Sequence, residues 1–274
     1  ASGVATRPIA DLSAYRQALS QRVFKSGLLM RPLFERAQAD PQRLVYTDGE
    51  EERVLRAVQV VVEERLARPI LIGRPEVVEA RIRRLGLRLR VEDDLELVNP
   101  QSDPRYNDYV ATYLDRMGRR GVTPQGAREI VRTRTTVIAA VMVARGEADA
   151  LLAGPVGVYE RHLRHIVGVL GLRSGVGQPS TLRALVLDRG PLFIADANVA
   201  YEPTVEEVCE TTVQAASVVR SFGIEPKVAL LSHSNFGSGD TPSALRMREA
   251  LALIRARAPE LEIDGEMHSD AALS

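Results

Sequence analysis

The sequence predicts an α/β protein built as two lobes, each with a mostly parallel sheet flanked by helices, and a cleft between them. Three observations carry this. Short apolar runs alternate with longer stretches whose apolar residues recur at helical spacing. The runs are apolar throughout, as strands covered on both faces are. Near the end of the chain two strand-like runs, Val228-Ala229-Leu230-Leu231 and Leu261-Glu262-Ile263, each lead into a polar, glycine-containing loop. An open α/β sheet presents such loops at its carboxyl edge, where ligands bind.

Residues 1–41 stand apart. An amphipathic stretch that starts at Asp11 (Leu12, Tyr15, Leu19, Val23) runs into Leu28-Leu29-Met30-Arg31-Pro32-Leu33-Phe34 without a strand pattern, and reads as a connecting helical arm. The first lobe, 42–174, opens with a strand over 43–46. Thr47-Asp48-Gly49 and a helix over 51–66 follow, with Val54, Leu55, Val58, Val61 and Val62 at helical spacing. A second strand covers 69–73, and Pro75, suited to a helix start, opens a helix over 76–85. After a strand over 95–98 come helices at about 108–119, 124–131 and 135–145, then a strand over 150–153 that runs into Gly154-Pro155-Val156-Gly157. The second lobe, 175–274, begins with two apolar runs, 182–187 and 191–195, separated by Asp188-Arg189-Gly190, a hairpin signal. Pro203 and Thr204 open a long helix ended by Gly223 as its C-terminal cap. A strand over 228–231, a helix over 242–258 and a strand over 261–263 complete the order.

Lys+Arg and Asp+Glu are both 36, so no overall field draws the chain to nucleic acid or to an anionic membrane. The single Cys209 excludes an internal disulfide framework and fits a reducing compartment. No apolar run approaches the roughly 20 residues that a membrane-spanning helix needs, and no signal-peptide pattern is present. A soluble cytoplasmic protein is the expectation. The first residue is Ala1 and the last, Ser274, directly follows a loop. Both features suggest a piece of something longer, with the second lobe truncated on its C-terminal side.

Four segments carry a family resemblance: Gly146-Glu147-Ala148-Asp149-Ala150; Ala195-Asp196-Ala197-Asn198-Val199 with Pro203-Thr204; residues 222–232; and Asp264-Gly265-Glu266. From about residue 42 to the end the chain resembles the phosphate acetyltransferase family. It looks still more like the phosphotransacetylase-like carboxyl-terminal domain of hybrid, multi-domain NADP-dependent malic enzymes. That branch is favoured by Ser232-His233-Ser234-Asn235-Phe236-Gly237, by His268 after Glu266-Met267, and by Gly154-Pro155-Val156-Gly157-Val158-Tyr159. The arm Gly3-Val4-Ala5-Thr6-Arg7-Pro8-Ile9 resembles the connector to a malic domain.

The resemblance implies a phosphate acetyltransferase or isocitrate dehydrogenase-like fold. It further implies a regulatory domain that binds acetyl-coenzyme A as an allosteric effector, supports a homo-oligomer, and lies after a malic domain where NADP and a divalent metal act. Neither a nucleic acid nor a membrane is among the implied partners. Acetyl transfer between coenzyme A and phosphate requires cations for phosphate, a base for the thiol and donors for the developing oxyanion. Against the family pattern, the Ser-Thr hydroxyls after the strand end are replaced by Gly157-Val158-Tyr159, and Met117 stands where a family arginine is found. Only Arg164 matches the family's phosphate-binding arginine, and the family's catalytic Ser-Arg pair falls beyond Ser274. The expectation is therefore a non-catalytic acyl-coenzyme A sensor with no catalytic or metal-binding residues of its own. An active phosphate acetyltransferase and a purely structural oligomerisation module are the alternatives.

Ser232, His233, Ser234, Asn235, Gly237 and Ser238 read as a ligand-facing loop whose N–H groups and hydroxyls meet phosphate or pantetheine atoms. A nucleophile triad of these residues with Asp240 is rejected, because adjacent residues on extended backbone point to opposite sides. Gly157, Tyr159, Arg161 and Arg246 are further candidates, the two arginines for the adenine side. Arg161 and His165 share a helix face at i, i+4, and for that segment, Arg164 included, a solvated face and an anion site are both open. Asp264, Glu266 and Asp270 read either as caps of a following helix or as catalytic acids. Asp48, Glu50, Glu51 and Glu52 read as partners of a helix dipole.

Overall fold

The computed structural model describes residues 27–187, 190–196 and 199–274. The start of the arm, the Asp188-Arg189 turn and the Ala197-Asn198 pair lie outside the described residues. Packing divides the described residues into two units, one of residues 34–172 and one of residues 173–274 with 27–33. Helix α1 (Gly27–Ala39) precedes the first strand.

The first unit runs β1 (Gln42–Tyr46), α2 (Glu52–Glu63), β2 (Ala67–Ile72), α3 (Pro75–Leu85), β3 (Glu96–Val98), α4 (Tyr106–Met117), α5 (Pro124–Thr133), α6 (Thr135–Ala144), β4 (Ala150–Leu152) and α7 (Tyr159–Leu170). All four strands are parallel, in the order β3-β2-β1-β4. Strand side chains alternate between faces, and both faces are covered. Val45, Ile70, Ile72 and Val98 pack with α4 to α7, while Tyr46 and Leu71 pack with α2 and α3. The result is a three-layer α/β/α arrangement, which is why the strands are apolar throughout. Within it α6 is buried continuously from Thr136 to Met142, as a helix that is apolar all round should be.

Of the acids expected to face a helix dipole, Glu51 holds the cap position and Glu52 the first turn of α2, and Glu50 and Glu52 also clamp elements together. Glu50 accepts from the N–H, Nε and Nη2 of Arg74 at 3.0, 2.8 and 2.8 Å, and Glu52 pairs with Arg84. Arg74 holds the Glu50 carboxyl below the usual carboxylate range. The 146–150 segment works in the same way. Asp149 accepts from the N–H, Nε and Nη2 of Arg43 at 2.8, 3.1 and 2.7 Å, fixing the entry of β4 beside β1. Glu147 takes the Tyr109 hydroxyl at 2.7 Å.

The second unit holds the antiparallel hairpin β5 (Leu182–Leu187) and β6 (Gly190–Ala195), α8 (Val205–Ser221), β7 (Lys227–Leu231), α9 (Pro242–Arg257) and β8 (Glu262–Met267). β7 and β8 form a separate parallel pair. Thr204 starts α8 with a reciprocal capping box to Glu207, and Thr241 caps α9 ahead of Pro242. Cys209, Ala216, Leu230, Ile254 and Ile263 share one core.

One strand is longer than its composition suggests. The polar run Asp264-Gly265-Glu266 reads as a loop, yet it continues β8 to Met267 by pairing with β7. Gly265 permits this: its φ is +137°, and a Cβ there would lie 2.7 Å from the Leu230 carbonyl oxygen. Only glycine combines that angle with so close an approach.

The buried course of α6 sets a contrast measurable by urea unfolding. Ile138→Ala removes a side chain that is 2% exposed and should cost about 2–5 kcal/mol. Val60→Ala, at a position 52% exposed on α2, should stay within about 0.5 kcal/mol of the parent.

Candidate functional site

Two helix N-termini meet in the first unit, and neither is capped by a side chain. The residues in the cap positions are Arg134 for α6 and Val158 for α7. Their first turns are joined through His162, whose Nδ1 lies 2.7 Å from Thr136 Oγ1 and whose Nε2 lies 2.9 Å from the Val156 carbonyl oxygen. A carbonyl only accepts, so Nε2 carries a proton, and in the neutral ring Nδ1 accepts from the threonine. Arg53 donates to the Pro155 carbonyl at 3.0 Å. The 154–157 loop is thus held by two of its carbonyls. Gly157 has φ +110°, and a Cβ on it would lie 2.7 Å from His162 Nε2.

Arg161 and Arg164 stand exposed on α7, and Arg134 stands exposed at the head of α6. None of the three has an ion-pair partner among the described residues, whereas Arg43, Arg74, Arg84, Arg88 and Arg105 all do. Half-buried His165 senses all three. Burial, then the charges of Arg134, His162, Arg164 and Arg161, hold its imidazole below the ordinary 6.5. Unpaired guanidinium groups beside two helix heads make the local potential positive. Of the groups gathered here, Arg161, Arg164 and Gly157 are legible in the sequence. Arg134 is not, because only packing brings the α5–α6 junction to α7. Tyr159, the first residue of α7, is exposed without a hydrogen bond to this cluster. Met117 packs its sulfur against Gly168 of α7 and lies against the core.

In the second unit the 232–240 loop departs from expectation. Its donors are turned inward around one carboxylate. Glu266 is fully covered, and its Oε1 accepts from Ser234 Oγ at 2.6 Å and from the Gly237 N–H at 3.0 Å. The Phe236 N–H reaches the Glu266 carbonyl at 2.8 Å, the Gly239 N–H reaches Ser234 Oγ at 3.0 Å, and the Asn235 N–H reaches Ser238 Oγ at 2.9 Å. Ser232 Oγ accepts from the Ser234 N–H, and Asn235 Oδ1 accepts from the His268 N–H. The N–H groups expected to meet a phosphate therefore have partners inside the fold. Ser234, 1% exposed, is an internal residue, and His233 remains exposed beside the loop.

Glu266 is a buried folding element here and caps no helix. Ser234, then the Gly237 N–H, hold its carboxyl below the usual range, with Arg248 contributing charge. Its Oε2 has no hydrogen-bond partner among the described residues. Arg248, which the sequence reading passed over in favour of Arg246, binds Asp240 at 2.6 Å and lies beside Gly237. Arg246 is half-buried on the same helix. Asp270 caps the short turn at Ala271, while Asp264 accepts from the Gly265 N–H and pairs with Arg255. No three His, Cys, Asp or Glu side chains among the described residues converge as a metal site, and no helix among them is long and apolar enough to cross a membrane.

A parallel sheet covered by helices on both faces defines an α/β protein of the three-layer class. Residues 28–274 match the family described as phosphate acetyl/butaryl transferase, and the chain belongs to that family. It is 55% identical over 274 residues to an NAD-dependent malic enzyme of Rhizobium meliloti, covering 100% of this chain and 36% of that protein. With an NADP-dependent malic enzyme of Escherichia coli it shares 53% identity over 272 residues, covering 99% and 36%. A phosphotransacetylase structure from Streptococcus pyogenes matches with a TM-score of 0.80 at 26% identity, over 89% of this chain and 73% of that one. The chain spans about a third of the length of these malic enzymes.

Two measurements check the site. Ser234→Ala takes a donor from a covered carboxylate and should cost about 1.5–3 kcal/mol in urea unfolding. For His165 the folded value lies below 6.5, so the unfolded chain binds the proton more tightly. Stability is then fully present above pH 6.5 and falls as the pH drops towards the folded value. His165→Gln should flatten that acid-side loss between about pH 7 and 5.

Proposed function

We propose that this chain is the phosphotransacetylase-like region of a longer malic-enzyme polypeptide, where it binds acetyl-coenzyme A and thereby controls malate oxidation elsewhere in that polypeptide, without transferring acetyl groups itself. In this reading the oxidation of malate to pyruvate, with its nicotinamide dinucleotide and divalent metal, belongs to a malic domain outside these residues, and the assembly is a cytoplasmic homo-oligomer. The observation that carries the reading is the cluster of Arg134, Arg161 and Arg164 at the uncapped heads of α6 and α7. Coenzyme A is a polyanion, and such a cluster supplies both charge and N–H donors for its phosphates. The loop beside it offers Val156, Val158 and Tyr159, all exposed. An apolar loop accommodates an acyl-pantetheine chain but provides no base for a thiol. A ligand that binds one quaternary state better than another shifts the enzyme by that difference in affinity.

The test uses the full-length natural polypeptide. Isothermal titration should show acetyl-coenzyme A binding, and malate oxidation rates should change with it. Arg164→Ala and Arg134→Ala should each weaken binding by about 1.5–3 kcal/mol, roughly tenfold to a hundredfold. His165 should titrate at higher pH once the anion is bound. No acetyl phosphate should be consumed with coenzyme A above background. Turnover abolished by Arg164→Ala would instead make the chain an active acetyltransferase, and a ligand that neither binds nor alters the malic rate leaves a structural module.

A further inference from the structure

Residues 154–157, which join β4 to α7, make no backbone–backbone hydrogen bond among the described residues. Gly154 and Gly157 both have positive φ, so backbone preference does not hold the loop in one form either. Side chains do. Arg53 Nη2 donates to the Pro155 carbonyl at 3.0 Å, and His162 Nε2 lies 2.9 Å from the Val156 carbonyl oxygen.

The two donors are unequal. The Arg53 side chain is 70% exposed and divided between Pro155 and Glu51. His162 is half-buried, and its Nδ1 is braced at 2.7 Å on Thr136, which is 3% exposed in the first turn of α6. Its ring also fits the loop closely, since a Cβ on Gly157 would lie 2.7 Å from Nε2. A trans peptide sets its N–H opposite its carbonyl. Holding the carbonyls of Pro155 and Val156 therefore turns the N–H groups of Val156 and Gly157 away from Arg53 and His162. Neither N–H has a hydrogen-bond partner among the described residues, and both residues are exposed.

We infer that His162 is a positioning residue, which carries the rigidity of buried α6 through Thr136 to the 154–157 loop and so aims the Val156 and Gly157 N–H groups at an oxygen of the bound ligand. A flexible loop would have to be ordered at each binding event, and an ordered one is already in place. For the ligand the inference rests on the acetyl-coenzyme A reading; the anchoring of the loop is independent of it.

Two substitutions at one position test this in the full-length natural protein. In His162→Gln the side-chain amide reaches the place of Nε2 and keeps a donor for the Val156 carbonyl. In His162→Asn the amide reaches only as far as Nδ1, so Thr136 keeps a partner while Val156 loses its donor. Both variants lose the ring, so a merely structural role predicts equal effects. Isothermal titration with acetyl-coenzyme A should give a Kd about tenfold or more above the parent's for His162→Asn, and within about threefold of it for His162→Gln. Without ligand, elastase cleavage after Val156 or Val158, followed by mass spectrometry, should be at least about tenfold faster in His162→Asn than in His162→Gln. Thr136→Val, close to isosteric, removes the brace and should shift both readouts in the direction of His162→Asn. Equal Kd values and equal cleavage in the two histidine variants would overturn the inference, and so would parental behaviour of Thr136→Val. If the parent itself binds no acetyl-coenzyme A, the sensing role fails and the ligand named here fails with it, while the cleavage rates still decide the anchoring.

Discussion

The burial of α6 is the constraint on which the first unit rests. A helix covered continuously from Thr136 to Met142 satisfies its interior backbone groups by its own hydrogen bonds, and at its head the Val137 N–H bonds the Arg134 carbonyl at 2.9 Å. Thr136 and His162 join that head to α7, and neither helix has a side-chain cap. Closing a core around an apolar helix thus sets Arg134 beside the head of α7.

Charge distribution extends the same logic. The chain as a whole is neutral, with 36 basic and 36 acidic residues, and many of its arginines are committed to acids that tie α2 to α3 or β4 to β1. Arg134, Arg161 and Arg164 are left outside that network. Exposed pairs contribute little to stability, so their absence costs the fold little. What it changes is the local field, which the depressed His165 registers.

The second unit is organised around an opposite solution. Glu266 is enclosed by a loop whose hydroxyls and N–H groups converge on it, so a segment that looks like a ligand cradle is filled by the protein's own carboxylate. A covered carboxylate with several charge-assisted donors is well held, and removing a donor leaves it exposed to the full cost of desolvation. The enclosure is one-sided, since Glu266 Oε1 takes both donors and Oε2 has no hydrogen-bond partner among the described residues.

Much was legible in the sequence. Apolar runs and helical spacing marked the strands and helices of both units, Pro203 and Thr204 marked the start of α8, and Arg164 was among the arginines singled out on α7. Periodicity and capping are local properties, so a linear reading captures them. Three features came only from the tertiary structure: the extension of β8 through Asp264-Gly265-Glu266, the inward turn of Ser234, and the recruitment of Arg134 to the head of α7. Each depends on a partner remote along the chain: β7 for the strand, Glu266 for the serine, and α7 for the arginine. Spacing specifies which face a residue occupies, whereas the identity of the group opposite that face is settled only when the elements pack.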